Sequence, residues 1–136
     1  MTPSAVALLG FSGWTILLVG MLGLFRTGLV FGGKKRANEF RASGEDLQGF
    51  GQRLTRAHAN CYENLPVAGA VLLYAISTGQ TAITDDLAMA FLGARLLQSL
   101  THIISTASPA VLLRFAFFGA QMAILTIWIL RLAHLI

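Results

Sequence analysis

Arg56, Asn60 and Glu63 stand at i, i+4 and i+7, so a helix would carry all three on one face. Arg95, Gln98 and His102 follow at i, i+3 and i+7, and Arg114 lies further on. A guanidinium is a planar fork that grips carboxylates in pairs of hydrogen bonds, and a carboxylate accepts from an ammonium group. Three arginines with one glutamate therefore suit a small molecule that is anionic overall but zwitterionic in part. The lone cysteine, Cys61, and three scattered histidines have no metal-ligand spacing.

The surrounding chain is unusual for such residues. Of 136 residues, 55% are hydrophobic and only 12% are charged, about half the charged share of an ordinary soluble domain. Composition alone therefore implies an integral membrane protein. The net charge is +4, and seven of the ten basic residues fall between Arg26 and Arg56. Beside hydrophobic segments, that cluster reads as a positive-inside cytoplasmic loop rather than a nucleic-acid arm.

Four membrane spans are expected, at about 4–25, 56–79, 87–105 and 109–135, in a single domain with a basic loop over about 26–43. No Lys or Arg precedes the first segment, which favours a retained span over a signal peptide. Ser43 is expected to cap the second helix, with Glu45 and Asp46 in its first turn. The apolar run 65–78 is about 21 Å of helix, too short to cross a core of about 30 Å. The span must therefore extend back through Asn64, Glu63, Asn60 and Arg56, whose polar groups should avoid lipid. Pro66 is expected to kink this helix. Thr84 or Asp85 can cap the third helix, and Ser108-Pro109 reads as a cap followed by proline at the first helical position of the fourth.

This topology brings the three polar faces to one end of the bundle, the end of the basic loop and Asp46, with both termini on the opposite, non-cytoplasmic side. Glutathione, with two carboxylates, one α-ammonium and a thiol, fits the charge count, and a phospholipid head group satisfies part of it. The structural alternatives are ion pairs: Arg56 with Glu63, or Arg95 with Glu63 or Asp46. Arg114 could instead snorkel to the interface. A small multidrug-type transporter would want a carboxylate in the first span, where there is none.

The segment RAHANCYENLP, Arg56 to Pro66, resembles the signature of the membrane-associated proteins in eicosanoid and glutathione metabolism (MAPEG). That family includes microsomal glutathione transferases, prostaglandin E and leukotriene-C synthases and a non-catalytic lipoxygenase-activating protein. The four-span layout, the basic first loop, Arg95 and the Pro109 to Arg114 spacing are similar too. The resemblance implies an all-α, four-transmembrane-helix bundle assembled as a homotrimer, with glutathione bound between subunits near the cytosolic face. It implies a glutathione transferase, or peroxidase, acting on lipophilic substrates, or else a non-enzymatic lipid-binding or scaffold member.

Residue by residue, the resemblance implies glutathione contacts at Arg56, Asn60, Glu63 and Arg95. Gln98 stands where the family is often aromatic or polar, and His102 at a frequent tyrosine position. Arg114 matches the arginine that stabilises the glutathione thiolate, Asp46 a catalytic acid of the first loop, and Lys35 a basic ligand before it. Ala59, Phe115 and Phe118 stand where prostaglandin E synthase has an arginine, a serine and a tyrosine. Those departures argue against prostaglandin isomerisation.

Overall fold

Thr2 opens the first helix: its hydroxyl oxygen accepts from the Ala5 N–H at 3.2 Å, and Pro3 takes the first helical position, where a missing N–H costs nothing. Helix α1 then runs Pro3–Phe31, six residues beyond the expected end at Phe25. Leu29, Val30 and Phe31 continue its apolar character past Arg26, and Gly28 alone does not stop it. The stop is Gly32-Gly33, with Gly33 at φ +67°.

The computed structural model describes all 136 residues. The elements are α1, then α2 (Phe50–Ser77), a 3-10 turn (Thr81–Ile83), α3 (Asp85–Ile104) and α4 (Ser108–Leu132), with no strand.

Helix α2 starts later than the sequence suggested. Ser43 does not cap it; its hydroxyl receives only a long 3.5 Å bond from the Glu45 N–H. Gly44 and Gly49 both adopt positive φ, +75° and +59°, which breaks the chain into turns ahead of Phe50. Gly44 also needs its missing side chain, since a Cβ there would lie 2.8 Å from Thr55 Cβ. Asp46 is consequently not in a first helical turn. It accepts from Lys35 Nζ at 2.7 Å and from the Arg41 N–H at 3.0 Å, tying the loop to itself.

That bond has a pH signature. The Lys35 hydrogen bond holds the Asp46 carboxyl below the usual carboxylate range. Its contribution to loop order is therefore full above the ordinary carboxylate pKa and is lost only as pH falls through the lowered value. The Arg41 amide resonance should titrate below pH 3.8, the ordinary value. A midpoint at or above that value would contradict the pairing.

The remaining ends differ in detail. Helix α2 continues unbroken through Pro66 and ends next to Gly79, at φ +70°. Thr84 is the residue preceding α3, but its hydroxyl is hydrogen-bonded to Ser4 at 2.6 Å instead of capping. Asp85 accepts from both the Ser4 hydroxyl and the Ser4 N–H, which ties the starts of α1 and α3 together. Ala107, not Ser108, is the cap position of α4, so Pro109 is one residue inside the helix. His134 falls outside α4, at φ 55°.

Helix α3 is the hub, packing against α1, α2 and α4, while α1 also packs on α2. Phe11, Phe91 and Trp128 connect α1, α3 and α4 through ring contacts of 6.1 and 5.5 Å. Helices α1, α3 and α4 are each long and apolar enough to cross a membrane. Helix α2 has the length without the composition, because its first fifteen residues carry Arg53, Arg56, Asn60, Glu63 and Asn64. Helix α4 buries little of itself against its own chain, so most of its apolar surface is left to lipid or to other chains.

Candidate functional site

The loop-side halves of α2, α3 and α4 enclose an open cavity of about 480 Å³. Arg56 and Asn60 line it from α2, Gln98 and His102 from α3, and Val111, Arg114, Phe115 and Phe118 from α4. Helices α2 and α3 run antiparallel, so Arg56 and His102 lie at the loop end and Asn60 and Gln98 one turn deeper, and each helix presents a pair to the same space.

Two residues that do not line the cavity set its chemistry. Arg95 is fully buried, with its guanidinium 5.0 Å from the Phe11 ring centre. It donates from Nη1 to Asn60 Oδ1 at 2.6 Å. A guanidinium has no acceptor, so the amide oxygen must face Arg95, leaving the Asn60 NH2 for the cavity. Gln121 acts likewise on Gln98. Its Nε2 donates to the Phe117 carbonyl at 2.9 Å, which fixes its orientation, and to Gln98 Oε1 at 2.8 Å. The Gln98 NH2 is then the end left free. The lining thus offers two guanidinium groups and two amide NH2 groups, with no carboxylate and no hydroxyl. One nitrogen of neutral His102 is the sole side-chain acceptor not already engaged. Such a surface binds anions with several oxygens, each hydrogen bond to a charged group being worth roughly 1.5–3 kcal/mol.

Arg95 is itself under-satisfied, since Nε and Nη2 are buried without partners. The proposed alternative pairs of Arg95 with Glu63 or Asp46 are absent, as is Arg56 with Glu63. Glu63 shares the Arg56 face by spacing but is exposed and makes no hydrogen bond or ion pair within the chain. Lys35 and Asp46 line a different, smaller cavity of about 220 Å³ near Phe25 and Leu29. Within one chain, therefore, Arg56, Asn60, Gln98, His102 and Arg114 meet, Arg95 stands behind them, and Glu63, Lys35 and Asp46 lie elsewhere.

Gln121 is the residue that sequence reasoning did not single out. Its signal was a primary amide in the middle of the apolar α4, where an unpaired polar group is expensive. Cys61 is buried and contacts the Ser99 hydroxyl at 3.2 Å, away from the cavity lining.

A search of curated proteins and a search of solved structures each gave no match. The model of the MAPEG family matches residues 4–134. With that match running through all four helices and both polar faces, the chain belongs to the MAPEG family.

Proposed function

We propose that this protein is a glutathione-dependent membrane transferase, with peroxide reduction as an accompanying activity, acting on lipophilic electrophiles at the cytoplasmic side of the bilayer. The observation that carries the reading is the donor-rich cavity between α2, α3 and α4. Glutathione has two carboxylates to satisfy Arg56, Asn60 and Gln98, and it supplies the thiol nucleophile. Buried Arg95, with two unpartnered nitrogens behind the cavity, adds positive potential to the same place.

Arg114 is assigned the chemical role. A thiol has a pKa of about 8.5, and an adjacent cation brings it toward neutrality. Each unit of that shift is worth about 1.4 kcal/mol in favour of the thiolate. The thiol proton passes to solvent, sulfur bonds to the electrophilic carbon, and the leaving group departs with the electron pair. Val111, Phe115 and Phe118 form the apolar wall against which a substrate arriving through lipid would lie.

On this reading α2 also crosses the bilayer, its polar face turned inward, and both termini lie on the non-cytoplasmic side. The assembly is a homotrimer. Glu63, exposed and unpaired, would supply a neighbouring copy's cavity with the carboxylate it lacks for the glutathione ammonium. Lys35 and Asp46 would likewise act across a subunit boundary. Detoxification is the physiological setting such chemistry serves.

A second reading is a non-enzymatic lipid-binding or scaffold member. It is favoured by Phe115 and Phe118, which leave the cavity without any hydroxyl. Turnover separates the two. Purified protein with glutathione and a chlorodinitrobenzene-type electrophile should form conjugate; binding without turnover would select the second reading, and absence of binding would defeat both.

Gln121→Leu provides a check on the cavity's polarity. It releases the Gln98 amide to turn its oxygen inward while filling the space with an apolar group of similar size. Glutathione affinity should fall roughly three- to tenfold, the worth of about one hydrogen bond, with stability little changed. Unchanged affinity would show that the Gln98 orientation is irrelevant.

A further inference from the structure

The loop end of the chain holds a second cationic place that shares no lining residue with the cavity above. Arg26 sits on α1 at the start of the basic segment and lines two cavities, of about 490 and 200 Å³. In the larger, its neighbours are Thr27, Val30, Phe31, Ala37 and Phe40. No carboxylate lines either cavity.

The three acids of this segment are already engaged. Asp46 pairs with Lys35 at 2.7 Å, Glu45 with Arg41 at 3.6 Å and Glu39 with Arg36 at 4.0 Å. Arg26 is left without a counter-charge. Its Nη2 donates only to the Arg41 carbonyl at 3.3 Å, and its guanidinium lies 5.3 Å from the Phe40 ring centre. The contacts with Phe40 and the Arg41 carbonyl fix the fork, while Nε is buried and has no partner. The adjacent Thr27 hydroxyl is also unused, although Thr15 and Thr55 each bond back to a carbonyl of their own helix. On the membrane side of these donors the surface is apolar, with Val19, two turns back along α1 on the Arg26 face, 45% exposed.

A fixed guanidinium without a carboxylate, a free hydroxyl and an adjoining apolar wall, all at the rim of a membrane helix, match one kind of molecule. We propose that Arg26 and Thr27 form a binding site for the phosphate of an anionic phospholipid in the loop-side leaflet, with an acyl chain running back along α1 past Leu22 and Val19. Phosphate accepts several hydrogen bonds from a guanidinium in fixed geometry. A negatively charged lipid is selected because each nearby carboxylate is paired with another cation and the Arg26 charge is not neutralised within the chain. Its role would be to anchor the loop end of α1 at the membrane surface, independently of the glutathione reading.

The test uses the full chain in nanodiscs containing equal amounts of phosphatidylglycerol and phosphatidylcholine, with retained lipid counted by native mass spectrometry. The wild type should retain phosphatidylglycerol preferentially. Arg26→Gln should lower that preference about fivefold, the scale of one basic residue at an anionic surface. Thr27→Val, which leaves every charge in place, should lower it as well. Arg36→Gln, which removes an exposed charge already paired with Glu39, should change it less than twofold. Equal losses for Arg26→Gln and Arg36→Gln would overturn the site in favour of diffuse attraction. An unchanged preference in both Arg26→Gln and Thr27→Val would overturn it outright. Full displacement of phosphatidylglycerol by equimolar oleate would also overturn it, since the ligand would then be a carboxylate.

Discussion

Arg114→Ala is expected to lower kcat/KM for conjugation on the order of 10²-fold, the scale seen when a positioned electrostatic stabiliser is removed. Glutathione affinity should fall much less. Arg114 lines the cavity from α4, whereas the carboxylate-binding donors Arg56, Asn60 and Gln98 come from α2 and α3. Loss of the cation returns the thiol toward its solution pKa of about 8.5, so the variant's rate should climb with pH through that region while the wild type is already level. Arg114→Lys, which keeps the charge and loses the fork, should recover part of the rate. Equal rates for wild type and Arg114→Ala would place the thiolate elsewhere and reduce Arg114 to an interfacial anchor.

The second large effect concerns Asn60 and Arg95. Asn60 is the only hydrogen-bond acceptor of a fully buried guanidinium. Asn60→Leu strands that charge and should destabilise the protein by about 2–3 kcal/mol, the worth of a hydrogen bond to a charged group. The double variant Asn60→Leu with Arg95→Met removes both partners in favour of apolar groups, which is often near neutral. It should therefore recover most of the lost stability in a denaturant or thermal melt, yet still fail to bind glutathione normally, because the cavity has lost the NH2 donor. Additive losses in the double variant would mean that Arg95 and Asn60 are not coupled as the 2.6 Å contact implies. Such a cycle also separates folding from ligand recognition at one position.

Helical periodicity and charge brought much of this arrangement within reach of the sequence. The i, i+4 spacing of Arg56 and Asn60 and the i, i+4 spacing of Gln98 and His102 are enough to give each pair a common face, and antiparallel neighbours then bring the faces together. Which way each amide points was not legible, because that depends on Arg95 and Gln121, partners far along the chain. Glu63 shows the limit of spacing. It shares the stripe with Arg56, but which side of that stripe meets a neighbouring helix is a packing result, and in this chain Glu63 stays exposed. The boundaries of α1 and α2 went astray for a backbone reason. Gly44 and Gly49 take left-handed conformations and delay α2, overruling the favourable cap chemistry of Ser43, while Gly28 is tolerated inside α1. Asp46 looked like a helix-start acid, but a short bond from Lys35 was available and won.

The central claim is that the cavity of Arg56, Asn60, Gln98, His102 and Arg114 holds glutathione with its sulfur ionised. An ultraviolet difference spectrum of the purified protein with saturating glutathione, titrated over pH, addresses it directly. The proposal predicts a thiolate band at neutral pH, an apparent pKa at least about one unit below the 8.5 of a free thiol, and no band with S-methylglutathione. Bound glutathione whose thiol titrates at its solution value, or no bound glutathione at all, would contradict it.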